Sequence, residues 1–360
     1  MGNCCKAKPV RVDTATAIGK KDIVFYDAAQ KPFDCYGLMY ETGKGFFRLP
    51  EEIAKNVNQG VAGLYCNTAG GRIRFTTDSP YVAIRFGVKN ISIMSHFPMN
   101  GSAGMDLYMD TDNGSLFTGV YAAEYHDNIC EGIIEFPDAS KRQFTLNLPL
   151  YNDVQYLYIG LAEGACVENG RSYRGLDPVV YYGSSITQGG CAGRPGCSYQ
   201  SIICRRNDID YLNLGFSGSA KGEQIIVDYM NGLKMSAFVS DYDHNASDPE
   251  WLKKTHYNLY ECIRKKHPDI PYLMVTRPWG SVFFQEDVDA RRKVVYDSYM
   301  NAVTAGDKNV WFVDGDLFWN GEEASCCTVD NCHPNDHGFV LMADAIGKTL
   351  DRAFAQQVTR

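Results

Sequence analysis

The 360-residue chain has no uninterrupted apolar stretch near the ~18 residues of a membrane-spanning helix, so it offers no candidate for insertion. It has no run of Lys or Arg, and its formal net charge is −8. That balance repels polyanions and excludes nucleic acid and anionic membrane surfaces as favoured partners. The opening residues Met1-Gly2-Asn3-Cys4-Cys5-Lys6 carry no apolar signal core. Lys6 also stands where a myristoylation site wants Ser or Thr, so the expected location is cytoplasmic. No internal repeat or low-complexity tract interrupts the chain.

A C-x-x-C pair is also missing, although there are thirteen cysteines. An odd count with irregular spacing, in a chain without a signal, reads as reduced thiols packed as small hydrophobes. Cys191 and Cys197 bracket one loop and could be bridged, but a reducing compartment favours free thiols. Cys326, Cys327, Cys332 and His333 match no common zinc spacing, and no metal or organic cofactor is expected.

What is present divides into two halves. At this length two domains are the default. The first half alternates apolar and polar residues in short runs: 73–76, 81–86, 105–110, 115–121, 144–148 and 154–161. Thr-Asp-Ser-Pro and Thr-Asp-Asn-Gly turns lie between them. This pattern predicts an antiparallel, jelly-roll-like β-sandwich over residues 1–175. The second half alternates near-continuous apolar strands (179–182, 211–214, 237–240, 272–276, 310–313) with helical stretches (223–230, 250–266, 287–305, 334–355). That order predicts a parallel sheet covered on both faces over residues 176–360, a flavodoxin-like α/β domain. The boundary is expected in 164–178.

In an open parallel sheet, ligands bind beyond the carboxyl ends of the strands. Polar residues gather at those points. After the first strand stands Gly183-Ser184-Ser185-Ile186-Thr187. After the second stands Gly215-Phe216-Ser217-Gly218-Ser219-Ala220. After the third stands Asp241-Tyr242-Asp243-His244-Asn245-Ala246, and after the fifth come Asp330 and His333. Ser, His and Asp can supply a nucleophile, a base and an orienting carboxylate. A backbone N–H of Gly218 and the amide of Asn245 can face a developing oxyanion. On a loop entering a helix, Asp330 and His333 are spaced to share one side. Pro334 suits a first helical turn. Thr187 replaces the last Gly of G-x-S-x-G, which argues against an ordinary α/β-hydrolase.

These four blocks, in this order, resemble those of the SGNH hydrolases, the GDSL esterase family, and the likeness spans nearly all of 178–350. Gly104-Met105-Asp106-Leu107-Tyr108 is similar to the signature of the β-rich domain that precedes one SGNH subgroup. The resemblance implies Ser185 as nucleophile, His333 as base and Asp330 as its orienter. It also implies an oxyanion hole from the Ser185 N–H, Gly218 and Asn245. Two positions depart from the family pattern. Ser184 stands where the family usually has Asp, and Asp243-His244-Asn245-Ala246 replaces the usual Gly-x-Asn-Asp. The implied activity is hydrolysis of small acyl esters, acetyl above all, on carbohydrates. The alternatives are acyl transfer by the same triad, or a glycan-binding protein with a vestigial hydrolase domain. The implied partner is a small-molecule or oligosaccharide acyl ester, and homo-oligomerisation stays open. His96, His244 and Trp279 are candidate substrate contacts. Asp241 and Asp243 look like paired carboxylates without further metal ligands. His126, His256 and His267 read as surface or half-buried, and His337 as helix surface.

Overall fold

The computed structural model describes residues 8–278 and 284–358. The chain divides into two compact units. One holds residues 8–48 and Cys66–Tyr173 with the short return Gly193–Gly196. The other holds Leu49–Tyr65, Arg174–Ala192, 197–278 and 284–358. Among the described residues no helix is long and apolar enough to cross a membrane.

The first unit is built from antiparallel strands, as the alternation predicts. One sheet runs in the order Arg11–Val12, Ile23–Asp27, Tyr156–Ala162, Tyr81–Gly87, Ile129–Glu135, Tyr125–His126. The other runs Val167–Asn169, Arg72–Thr77, Arg142–Asn147, Met105–Thr111, Gly114–Tyr121. Period-two alternation sends Ile73, Phe75, Ile84, Leu107 and Phe144 into one apolar core. Met105 and Leu107 face that core, so Asp106 faces the other way. It is nevertheless fully buried, and three donors satisfy it. The Asn147 amide donates at 2.7 Å, the Arg194 guanidinium at 3.1 Å and the Gly196 N–H at 2.9 Å. The Arg194 guanidinium also lies 3.9 Å from the centre of the Phe117 ring and donates to the Tyr108 hydroxyl. The Met105–Tyr108 stretch therefore holds the 193–196 segment through one buried carboxylate.

Among the described residues the second unit contains five parallel strands: β1 (Val179–Gly183), β2 (Tyr211–Gly215), β3 (Ala237–Asp241), β4 (Tyr272–Val275) and β5 (Val310–Val313). Their order is β2-β1-β3-β4-β5, that of flavodoxin-like folds. Helices that follow β1 in this unit include α1 (Ser185–Gln188), α2 (Tyr199–Asn207), α3 (Gln224–Asn231), α4 (Pro249–Lys266), α5 (Gln285–Thr304) and α6 (Asp336–Val358). Helix α6 packs with α2, while α3, α4 and α5 pack in sequence. Pairing of Gly183 with both Gly215 and Asp241 brings three strand ends level. The β1–β2 and β1–β3 junctions are tight. A Cβ on Gly183 would lie 2.2 Å from the Asp241 carbonyl, and one on Gly215 would lie 2.2 Å from the Gln188 nitrogen.

Two details differ from the sequence-based expectation. Residues Glu51–Val57 and Gln59–Leu64 are helical and belong to the second unit, although they sit inside a β-rich stretch of sequence. The last helix begins at Asp336 and not at Pro334. The Asn335 side chain caps it by accepting the His337 and Gly338 N–H groups, at 3.0 and 3.1 Å.

The Asp106 anchor is testable. Removing one member of a buried ion pair leaves the other charge uncompensated, at a cost of about 3–5 kcal/mol. Asp106→Ala should destabilise the first unit on that scale in chemical denaturation. A midpoint shift worth less than about 1 kcal/mol would show that the carboxylate is dispensable.

Candidate active site

The chain leaves β1 at Gly183 and turns through Ser184, which caps α1. The Ser184 hydroxyl accepts the Ile186 N–H at 3.1 Å. Helix α1 lasts a single turn and ends at Gly189 in the left-handed region, φ 101°. Ser185 is its first residue and is 6% exposed. This resolves the role of the residue that departs from the family pattern: Ser184 is a helix cap.

The segment beneath Ser185 is fixed by buried polar bonds. Thr187 donates to the Asp241 carboxyl at 2.9 Å, and the Tyr199 hydroxyl donates to the same oxygen at 3.1 Å. Burial pushes the Asp241 carboxyl up to about 8, with a smaller push from Asp243. Asp243 accepts the His244 N–H at 2.8 Å and the Arg277 N–H at 3.0 Å, and burial raises it too. These two carboxyls are engaged in holding α1 and the loop after β3.

Asp330 and His333 sit on the loop before α6. Asn331 between them adopts φ 63°, which folds the Asp330 side chain back toward His333. One Asp330 oxygen accepts the His333 backbone N–H at 2.7 Å, and the other lies 2.7 Å from His333 Nδ1. His333 Nε2 lies 2.9 Å from the Ser185 hydroxyl. With Nδ1–H donating to the carboxylate, Nε2 is the atom left to accept the Ser185 proton. Although burial opposes it, hydrogen bonding to His333 holds Asp330 below the usual carboxylate range.

Two further features stand beyond the ends of β2 and β3. Gly218 lies in the loop after β2 at φ 66°, a conformation that favours glycine, and no protein acceptor takes its N–H among the described residues. The Asn245 side chain donates to the Phe216 carbonyl at 2.9 Å, which orients its amide and leaves a second N–H. The Gly218 loop is braced from residues 49–65. Asn58 donates to the Ser219 carbonyl at 2.9 Å and to Glu223 at 2.6 Å. A Cβ on Gly60 would lie 1.9 Å from the Ser219 hydroxyl. The sequence reading missed this brace, for which Asn58 before Gln59-Gly60 is the one local signal.

Cys332 is the other residue that the sequence reading did not place here. Its sulfur lies 3.4 Å from His244 Nε2. Burial opposes its ionisation, but hydrogen bonds from His244 and His333 outweigh that and bring the thiol to about 6. Burial likewise opposes charge on His333, but Cys332 and Asp330 outweigh it and lift the imidazole to about 9.

His96 lies in the first unit on the exposed loop before Met99–Ser102. Trp279 lies outside the described residues. His256 is buried, contrary to the surface reading, and burial pulls it down to about 4. His337 is exposed and lies 2.9 Å from Glu323. Cys191 and Cys197 are free thiols.

Residues 176–351 match the profile of the GDSL-like lipase/acylhydrolase family, and residues 23–167 match that of the N-terminus of SGNH-hydrolase-type esterases. The chain belongs to the SGNH hydrolases. Among solved structures, one from Bacteroides ovatus ATCC 8483, described as a GDSL-like lipase, is 26% identical. That alignment covers 92% of this chain and 98% of that one, with a TM-score of 0.84. The salicylyl-acyltransferase SsfX3 from a tetracycline biosynthetic pathway is 19% identical over 91% of this chain and 96% of its own, with a TM-score of 0.73. A family two carbohydrate esterase from Clostridium thermocellum, solved with cellohexaose, is 13% identical over 90% and 99%, with a TM-score of 0.62. The last two share the fold. No match is found among curated protein sequences.

The site electrostatics of this SGNH hydrolase can be checked directly. An adjacent thiolate favours imidazolium, so Cys332→Ser should lower the His333 midpoint in an NMR titration. An unchanged midpoint would mean that the thiol carries no charge beside the ring.

Proposed function

We propose that this SGNH hydrolase is a serine esterase that removes small acyl groups, acetyl in the first instance, from carbohydrates. The observation that carries the reading is the continuous contact from Asp330 through His333 to the Ser185 hydroxyl, at 2.7 and 2.9 Å. Ser185 Oγ attacks the ester carbonyl as its proton passes to His333 Nε2. The oxyanion is met by the Ser185 N–H, the Gly218 N–H and the second N–H of Asn245. His333 then gives its proton to the departing sugar hydroxyl, leaving acetyl-Ser185. Water attacks that ester with His333 again as base, releasing acetate and free Ser185. Asp330 holds the ring orientation and stabilises the imidazolium. No step calls on a metal or an organic cofactor.

The carbohydrate part of the reading draws on the likeness to esterases solved with cellohexaose or described as acting on acetyl xylan. A second reading has one specific support, the likeness to an acyltransferase over most of both chains. In that case a second alcohol takes the place of water at acyl-Ser185. Product analysis with added alcohol separates the two: acetate alone means hydrolysis, and a new ester means transfer.

Ser185→Ala should abolish turnover of p-nitrophenyl acetate and of acetylated oligosaccharides while leaving the circular dichroism spectrum unchanged. Persisting turnover would move the nucleophile elsewhere. Asn245→Ala should lower kcat by about 10²–10³ if its amide faces the oxyanion; a near-normal kcat removes it from the site. The pH profile has a definite sign. His333 acts as base only when neutral, and its neighbours raise it to about 9, so kcat/KM should still be climbing above pH 8. A profile already flat from pH 6 upward would show that the raised imidazole is not the base.

A further inference from the structure

Cys332 and His244 take no part in the acyl-transfer steps above, yet they meet beside the residue that does. We propose that Cys332, His244 and His333 form a binding site for a borderline-soft divalent cation such as Zn²⁺, and that occupancy takes His333 out of the triad. Two loops supply the ligands: His244 follows β3, while Cys332 and His333 precede α6. The Cys332 sulfur and His244 Nε2 are 3.4 Å apart. Bond lengths of about 2.3 Å to sulfur and about 2.0–2.1 Å to nitrogen, at a tetrahedral angle, put two such ligand atoms about 3.5 Å apart. The pair is therefore already spaced as one edge of a zinc tetrahedron. Among the described residues the other ring nitrogen of His244 is buried without a protein partner, and the polar contact of this ring is the one toward Cys332. The Cys332 sulfur also lies within 4.8 Å of a ring nitrogen of His333 and of a carboxylate oxygen of Asp330, so this one sulfur is shared between the His244 edge and the triad side chains.

Either choice of ligating nitrogen on His333 disables the relay. Binding through Nε2 takes the lone pair that accepts the Ser185 proton. Binding through Nδ1 displaces Asp330. Sulfur and imidazole ligands suit Zn²⁺ or Co²⁺ and not Mg²⁺ or Ca²⁺, which prefer oxygen. The inhibitory half of the proposal rests on His333 serving as the base for Ser185; the binding half does not.

The experiment titrates Co²⁺ into the metal-free full chain and follows thiolate-to-cobalt charge-transfer absorbance. In parallel it measures Zn²⁺ inhibition of ester turnover relative to each variant's own metal-free rate. The expected result is a charge-transfer band and Zn²⁺ inhibition in the wild type, with no effect of Mg²⁺. Cys332→Ser should lose the band, and both Cys332→Ser and His244→Gln should raise the half-inhibiting Zn²⁺ concentration by more than about 10-fold. An unchanged band in Cys332→Ser, or equal Zn²⁺ sensitivity in both variants, overturns the site. Labelling of Ser185 by a phosphonate ester in metal-free protein checks the underlying esterase reading separately. Labelling together with a Cys332-dependent band but no inhibition overturns the gating role.

Discussion

A hydroxyl at the end of β1 and an imidazole 148 residues later meet at 2.9 Å, and the site depends on that contact. Parallel strand register makes it attainable. Gly183, Gly215 and Asp241 end level, so the turns that follow them share one rim. From the far end of the chain, the left-handed Asn331 bends the loop so that one carboxylate satisfies the His333 backbone and ring together. Because Asp330 holds both the backbone N–H and the Nδ1 of His333, the remaining nitrogen is aimed at Ser185 without help from substrate.

The support around this contact is mostly polar and buried. Asp241 holds Thr187 and Tyr199, Ser184 caps the single turn that carries Ser185, and Asn58 braces the loop that presents Gly218. Each bond restricts an element that is otherwise short. Helix α1 has four residues and could not hold a fixed place through its own backbone bonds. Cys332 adds the opposite tendency. Its sulfur beside the ring raises His333, which favours the protonated imidazolium.

Much of this was legible in the sequence because the signals were local. The Gly-flanked turn at Ser185, the Gly-Phe-Ser-Gly-Ser-Ala loop, Asn245 and the Asp330–His333 spacing each sit beyond a strand that its apolar run reveals. Period-two alternation likewise exposes the antiparallel strands of the first unit. The missed features were through-space. Helices of seven and six residues at Glu51–Val57 and Gln59–Leu64 are too short for a clear 3.6 period, so nothing assigns them to the second unit. Cys332 and His244 are 88 positions apart, and no spacing rule joins them. His256 lies on the buried stripe of α4 with Leu252, Leu259 and Ile263, and its polarity masks that position. The start of α6 slipped by two residues because the capping group is Asn335, one place after the proline.

The most direct test of the account is a crystal structure of the chain after reaction with a small phosphonate ester. The account predicts phosphorus bonded to Ser185 Oγ, with the phosphoryl oxygen within hydrogen-bond distance of the Ser185 and Gly218 nitrogens and of Asn245 Nδ2. An adduct on any other residue, or a Ser185 adduct whose oxygen faces away from those three donors, would contradict it.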